Sequence, residues 1–308
     1  MQRDELKEKP FCLNDRQIDW VENTLKDMSL DEKLGQMICP GVQMIGKKQI
    51  EEFAVKRKLG ALMIRPMDQQ KAAEAIRALQ NASKVPMLIA ANLEWGGDGA
   101  VLQGTKYGMP MGCTATGDYE SGYRLGKISC SEGAGVGVNW AFAPIVDIDN
   151  SYRNPITNIR AFSSKRDDVI AMASNYLKAA KEENVAVSIK HFPGDGCDER
   201  DQHLPDISWE EAFLPASQSK VLITDVLRKE LGFHGLAVTD STLMVGYMQK
   251  MPRREALAKT IMAGIDMILF NRNLYEMTAK TIKHPVHFVC GRHPGAYDSR
   301  LQIFHRRN

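Results

Sequence analysis

The chain has 308 residues, of which 44% are hydrophobic and 25% are charged, proportions typical of a soluble globular protein. Its 40 basic and 38 acidic side chains leave a net charge of +2, which gives no electrostatic reason to expect nucleic acid or a membrane surface as a partner. The charged N-terminus lacks the apolar segment of a signal peptide, no apolar run approaches the roughly 20 residues that cross a bilayer, and the six cysteines lack paired spacing. We therefore expect a cytoplasmic protein.

The hydrophobic pattern predicts helices that alternate with short apolar strands. Near the N-terminus, Asn14 is positioned to cap one helix, and Ser29 followed by Glu32 forms a capping-box pattern for a second. The predicted strands are 36–39 (or the end of the preceding helix), 59–64, 85–91, 138–146, 185–189, 235–239 and 266–270, and the later helices are 68–80, 118–133, 166–183 and 219–231. Because the strands are continuously apolar and alternate with helices, we expect an α/β fold with a parallel sheet covered by helices.

The spacing of these elements gives seven strand–helix units. About 27 residues with a single helix separate strand five from the next strand, and a loop of that length is uncommon in a compact domain unless it is functional. After Glu276 the composition changes, with four of the seven histidines, one acidic residue and no helical periodicity. We therefore expect one domain over residues 1–276 and a peripheral tail over 277–308, without a second domain.

Polar side chains follow the C-terminal ends of the predicted strands. They are Asn92 and Glu94 after the third strand, Asp147, Asp149, Arg153 and Arg160 after the fourth, Lys190 and His191 after the fifth, and Asp240 after strand 235–239. Each of these residues also has a purely structural explanation. Asp240 could cap a helix, Lys190 and His191 could form salt bridges, and Arg160 could be a surface residue. The C-terminal ends of parallel strands meet at one edge, so together these residues favour a polar pocket for a ligand rich in hydroxyl groups.

The most distinctive stretch is 188–203, Ser-Ile-Lys-His-Phe-Pro-Gly-Asp-Gly-Cys-Asp-Glu-Arg-Asp-Gln-His. Its Lys-His-Phe-Pro-Gly-x-Gly and Asp-x-His patterns resemble the strand-five loop of family 3 glycoside hydrolases, specifically the β-N-acetylglucosaminidase branch. Residues 235–241, Gly-Leu-Ala-Val-Thr-Asp-Ser, resemble the nucleophile strand of that family. Arg153-Asn-Pro with Arg160-Ala-Phe-Ser resembles its sugar-binding stretch, and Ala91-Asn-Leu-Glu-Trp-Gly-Gly the stretch after strand three. The likeness runs from about residue 14 to residue 274.

The resemblance implies a TIM-type (β/α) barrel, here incomplete at about seven units, as the catalytic domain over 1–276. It implies removal of a terminal β-linked N-acetylglucosamine or a related β-hexoside, with retention and without a cofactor or metal ion. In this branch Asp240 would be the nucleophile, and His203 would be the acid/base with Asp201 orienting its imidazole. The residues that would hold sugar hydroxyls are Asn92, Glu94, Arg160, Lys190 and His191. The partner is then a small carbohydrate, with no nucleic acid or membrane, and the oligomeric state stays open.

The chain departs from the family pattern in three places. Asp195 stands where many relatives carry histidine, and the stretch between His203 and Leu214 is too short for the strand-six unit. The tail lacks the closing amphipathic helix. A truncated or internally deleted family member has these features, so a non-catalytic or impaired sugar-binding remnant is one alternative.

Two further alternatives concern the chemistry. Phosphorolysis is one, because a histidine acid/base would not repel an incoming phosphate as a glutamate would. A metal site built from His191, Cys197, Asp201 and His203 is a weaker one, since these spacings match no structural zinc pattern.

Overall fold

The structure is a computed structural model that describes residues 3–199, 201, 214–248 and 250–269. The α-helices of this described part are α1 (Arg3–Lys7), α2 (Asp15–Asp27), α3 (Leu30–Gly35), α4 (Lys47–Ile50), α5 (Gln69–Ala82), α6 (Pro110–Ala115), α7 (Glu120–Gly135), α8 (Arg166–Glu182), α9 (Val245–Met248) and α10 (Arg253–Ala263). Its strands are β1 (Ile38–Cys39), β2 (Gly41–Val42), β3 (Ala61–Ile64), β4 (Leu88–Ala91), β5 (Trp140–Ala141), β6 (Ala186–Val187) and β7 (Ile268–Leu269). The predicted tail over 277–308 and the predicted acid/base His203 lie outside the described residues.

The chain divides into two compact units. The central unit is Pro40–Asp206, and the terminal unit combines Met1–Cys39 with Ile207–Asn308. In the described part of both units, no helix combines the length and the apolar character that a bilayer crossing demands.

The central unit is built on a five-stranded parallel sheet in the order β2-β3-β4-β5-β6. Successive strands are neighbours, with α5 between β3 and β4, α6 and α7 between β4 and β5, and α8 between β5 and β6. All four residues of β3 are buried, as expected for a strand covered by helices. The parallel α/β arrangement predicted from the hydrophobic pattern is confirmed.

Helices α7 and α8 pack closely because glycines face α8. A Cβ atom on Gly122 would lie 2.6 Å from the Met172 carbonyl oxygen, and one on Gly126 would lie 2.8 Å from that of Tyr176. Only a residue without a side chain leaves room for this approach of the two backbones.

Strands β3 to β6 lie inside the predicted ranges but are shorter, whereas β2 (Gly41–Val42) was not predicted. The predicted strand 138–146 pairs as a strand only at β5 and then at a single bridge between Ile145 and Lys190. Pro144 lies between them and has no N–H group to donate to a neighbouring strand, which interrupts the ladder. The predicted strand 185–189 likewise reduces to β6, and the same bridge follows it at Lys190.

The terminal unit contains α1 to α3 and the parallel pair β1–β7, with Ile38 opposite Ile268 and Cys39 opposite Leu269. The predicted cap and the predicted capping box are confirmed: the Asn14 side chain accepts from the Gln17 N–H at 2.9 Å, and the Ser29 hydroxyl accepts from the Glu32 N–H at 3.3 Å. The sequence allowed residues 36–39 to be either a strand or the end of the preceding helix, and the structure has strand β1 at Ile38–Cys39. The predicted helix 219–231 is π-helical over Val221–Glu230.

The predicted strand 235–239 is reduced to a bridge between Val238 and Met267. Side chains bind backbone N–H groups that would be paired between strands in a longer ladder. The Asp266 carboxylate accepts from the Ala237 N–H at 2.8 Å, and the Thr239 hydroxyl accepts from the Leu269 N–H at 2.9 Å. The segment still runs parallel to β7 and leads directly into Asp240.

Replacing Asn139 should destabilise the central sheet. Its side-chain oxygen accepts from the N–H of the fully buried Ile89 at 2.7 Å, at the point where β4 and β5 begin to pair. Asn139→Ala leaves that N–H without its partner, so we expect the free energy of unfolding to fall by about 1–3 kcal/mol in urea denaturation. Asn81→Ala, at an exposed position of α5, should change it by no more than about 0.5 kcal/mol. Equal stability of the two variants would contradict the prediction.

Candidate active site

The centre of the polar cluster in the central unit is the carboxylate of Glu94, whose side chain is 1% exposed. Glu94 follows β4, and its Oε1 accepts from Lys190 Nζ at 2.6 Å and from Arg160 Nη2 at 3.1 Å. Its Oε2 accepts from Arg160 Nε at 2.9 Å, so the Arg160 guanidinium binds both carboxylate oxygens. Lys190 Nζ also donates to Asn92 Oδ1 at 3.3 Å. Four of the predicted sugar-binding residues therefore form one cluster.

The charge state of this cluster follows from its pairing. Burial by itself raises the pKa of the Glu94 carboxyl, but the charges and hydrogen bonds of Lys190 and Arg160 outweigh burial and hold that pKa below its ordinary value. Glu94 is thus an anion between two cations, a pairing that makes a buried carboxylate tolerable.

His191 forms the second part of the site with Asp147, whose carboxylate is fully buried. The backbone N–H of His191 donates to Asp147 Oδ2 at 3.2 Å, and the ring Nδ1 lies 2.7 Å from the same oxygen. Because a carboxylate accepts, we assign a ring proton to Nδ1, which donates it to Asp147. The other oxygen, Asp147 Oδ1, accepts from the backbone N–H of Asp195 at 2.7 Å.

The remaining predicted residues are placed as follows. Asp201 is described and partly buried, and His203 lies outside the described residues. Asp240 belongs to the terminal unit, where it is exposed and accepts a hydrogen bond from the Ser241 N–H. It comes directly after Thr239, whose backbone N–H donates to the Met267 carbonyl at 3.0 Å.

Two outcomes differ from the simplest interpretation of the sequence. Arg160 is not a surface residue, because its guanidinium is bound to the buried Glu94. Asp147 was noted at the end of the fourth strand but was not assigned to the site, although it holds His191. The available signal was its position, since the ends of neighbouring parallel strands four and five lie side by side.

Within the part of the chain that the structure describes, no three His, Cys, Asp or Glu side chains are arranged to hold a metal ion. The zinc alternative also used His203, which lies outside that part.

The sequence profile of the glycosyl hydrolase family 3 N-terminal domain matches residues 29–209 and 203–288. The chain belongs to glycoside hydrolase family 3. The two matched segments overlap at 203–209.

Curated relatives of the chain include proteins named as hexosaminidases and glucosidases. It is 36% identical over 317 aligned positions to a "Beta-N-acetylglucosaminidase/beta-glucosidase" of Cellulomonas fimi, an alignment that covers 88% of this chain and 56% of the relative. It is 25% identical to "Beta-hexosaminidase A" of Pseudoalteromonas piscicida, with coverage of 72% and 47%. The chain thus spans about half the length of these relatives.

Solved structures of family 3 members share its fold. A structure titled "Beta-glucoside phosphorylase BglX bound to 2FGlc" superposes with a TM-score of 0.89 at 36% identity, over 98% of this chain and 63% of that one. A family 3 β-N-acetylglucosaminidase from Paenibacillus superposes with a TM-score of 0.72 at 21% identity, over 91% and 64%. The expected fold class, the α/β TIM-type barrel of family 3, is confirmed.

The pairing of Glu94 gives a prediction about its titration. Lys190→Met removes one cation and one hydrogen bond, so burial weighs more and the pKa of the Glu94 carboxyl should rise. In the wild type this pKa is depressed below its ordinary 4.5. Glu94 therefore stabilises the fold above that pH and loses this contribution as the pH falls, and in the variant the loss should come at higher pH.

Carbon-13 NMR of labelled glutamate, with the Glu94 signal assigned from its absence in Glu94→Gln, measures this pKa. Lys127→Met removes a lysine that pairs with Glu183 elsewhere in the same unit and serves as the control. An unchanged Glu94 titration in Lys190→Met would show that the pairing does not set the pKa.

Proposed function

We propose that this chain cleaves a terminal β-linked N-acetylglucosamine or a related β-hexoside by a retaining double displacement. The observation that carries the proposal is the Glu94–Lys190–Arg160 cluster beside the His191–Asp147 pair. Donors and acceptors concentrated at the ends of β4, β5 and β6 suit a ligand with several hydroxyl groups. The name of the Cellulomonas fimi relative supports this class of sugar.

In the first step, Asp240 attacks the anomeric carbon while the bond to the leaving oxygen breaks. His203, as imidazolium, gives its proton to that oxygen, and Asp201 stabilises the charged ring. These roles rest on the sequence motifs that contain the three residues. Asn92, Glu94, Arg160, Lys190 and His191 hold the sugar hydroxyls.

In the second step, the glycosyl–Asp240 ester is cleaved. A water oxygen attacks the anomeric carbon, its proton passes to the neutral His203, and the carboxylate of Asp240 leaves. The free sugar then has the configuration of the substrate. We assign this activity to residues 1–276 and no catalytic role to 277–308.

Phosphorolysis is a second candidate, favoured by the phosphorylase named in the 36% identical structure. A phosphate oxygen would replace water in the second step and release a glycosyl phosphate. A neutral or cationic His203 does not repel the incoming dianion, whereas a glutamate would.

Impaired catalysis is a third candidate, and the alignment lengths favour it. The alignment to the Cellulomonas fimi relative is 317 positions long, which exceeds the 88% of this 308-residue chain that it covers. Some residues of the relative are therefore aligned with gaps in this chain. A gap of this kind is what the absence of a strand-six unit would leave. A misplacement of about 1 Å at a catalytic group can lower a rate on the order of 100-fold, so the sugar could still bind where turnover is weak.

Turnover of a chromogenic N-acetyl-β-glucosaminide by the pure protein tests the proposal. We expect release of the aryl group by the wild type and a loss on the order of 10⁴-fold or more in Asp240→Asn, because an amide cannot attack carbon. Assays with and without inorganic phosphate separate the acceptors, since only phosphorolysis yields the glycosyl phosphate.

Asp225→Asn, which alters an exposed carboxylate paired with Lys229 in the terminal unit, should keep full activity. Sugar binding by wild type without any turnover would favour the non-catalytic remnant. Substantial activity in Asp240→Asn would refute the nucleophile assignment.

The acid/base assignment predicts a dependence on the leaving group. His203→Ala should slow substrates with poor leaving groups about 10²–10⁴-fold, and activated aryl glycosides far less, because only the former need a proton. Asp201→Ala should give a weaker version of the same pattern. The measurement is kcat/KM over aryl glycosides of graded leaving-group pKa, and equal losses across the series would indicate that His203 only positions the substrate.

A further inference from the structure

Asn154 lies between the two parts of the polar site and is 1% exposed. Its side-chain oxygen accepts from the backbone N–H groups of Ile156 and Thr157, both at 2.7 Å. Its side-chain nitrogen donates to the Asp195 carbonyl. One buried amide therefore bonds two segments that are about 40 residues apart in sequence.

The first of these segments leads to Arg160. The turn that Asn154 closes continues with a bond from the Arg160 N–H to the Thr157 carbonyl at 2.7 Å. Arg160 Nη1 also donates to the Ile156 carbonyl at 2.8 Å. The two residues whose N–H groups Asn154 binds thus hold Arg160, Thr157 at its backbone and Ile156 at its guanidinium.

The second segment leads to His191. Asp195, whose carbonyl Asn154 binds, donates its own N–H to Asp147 Oδ1 at 2.7 Å. The other oxygen of Asp147 holds the His191 ring and backbone. Asn154 is therefore connected to His191 through two consecutive hydrogen-bonded groups.

The backbones of these segments are also in close contact. The Gly196 carbonyl accepts from the N–H groups of Asn150 and Ser151 at 3.1 and 3.0 Å. A Cβ on Gly196 would lie 1.7 Å from the Ile148 carbonyl oxygen, so only glycine fits here. The segment after His191 is thereby held directly against the segment that contains Asn154.

We propose that Asn154 is a positioning residue that holds His191–Asp147 in register with Glu94–Arg160, so that both parts contact the same sugar. The role rests on the proposed function, in which His191 and Glu94 bind hydroxyl groups of one substrate. A group displaced by about 1 Å can cost on the order of 100-fold in rate, and register between the two parts is therefore a determinant of turnover.

The competing explanation is that Asn154 only closes its own turn. Asn154→Asp separates the two because it keeps an oxygen for the Ile156 and Thr157 N–H groups and removes the N–H that Asp195 accepts. If the link to Asp195 matters, this variant disturbs the His191 side and leaves the Arg160 side intact.

A double-mutant cycle tests the link. We expect Asn154→Asp to lower kcat/KM about 10- to 100-fold in the wild-type background. In the His191→Ala background the same change should cost less than about 3-fold, because the residue through which Asn154 acts is already absent. Equal factors in both backgrounds, or no loss in the wild type, would overturn the proposal.

The control is Tyr119→Phe, which removes a hydrogen bond to Asp168 from an exposed residue of the same unit and should leave kcat/KM unchanged. Nitrogen-15 NMR adds a measurement that does not depend on activity. In Asn154→Asp the His191 ring signals should shift while the Glu94 titration stays as in the wild type.

If the wild type turns over no glycoside, with or without phosphate, the proposed function fails and the NMR arm alone decides the positioning role. Unchanged His191 signals in a folded Asn154→Asp protein would overturn the positioning role of Asn154.

Discussion

The constraint on which the central unit depends is the burial of the Glu94 carboxylate between Lys190 and Arg160. Removing a carboxylate from water costs several kcal/mol unless opposite charges and hydrogen bonds replace the solvent. Glu94 meets both conditions, because three N–H groups from two cations reach its two oxygens. The segments that end in these residues must therefore converge, and the cluster can exist only where β4, β5 and β6 are in register.

The parallel sheet supplies that convergence. Each βα unit returns the chain to the same edge, so residues about 30 to 100 positions apart arrive side by side. Asp147 at the exit of the fourth predicted strand then meets His191 at the exit of the fifth. Asn154 and Gly196 join the segments beyond these exits. A polar site of this kind needs little local structure of its own, because the pairing of the strands sets the positions of its residues.

The family assignment and the length of the chain bear on function in different ways. The motifs that we propose to bind and cleave a sugar are short and local, so each is present in the sequence whatever the scaffold between them. Closure of a barrel depends on every strand, and the loss of a strand-six unit would affect that closure without altering a motif. Binding can therefore survive in a chain whose turnover is reduced, which is why the two activities call for separate assays.

The sequence by itself determined the features that depend on neighbouring residues. The caps at Asn14 and Ser29 follow from hydrogen bonds within one helical turn, and the alternation of apolar strands with helices predicted the parallel sheet. The residues of the Glu94 cluster were also predicted, because motifs specify residue types. Only the tertiary structure decided that Arg160 grips both oxygens of Glu94, that Asp147 rather than another acid holds His191, and that Asn154 bonds both segments. The bonds from Arg160 to Glu94, from His191 to Asp147 and from Asn154 to Asp195 span 41 to 66 residues in sequence, and no local pattern encodes which donor meets which acceptor across such a distance.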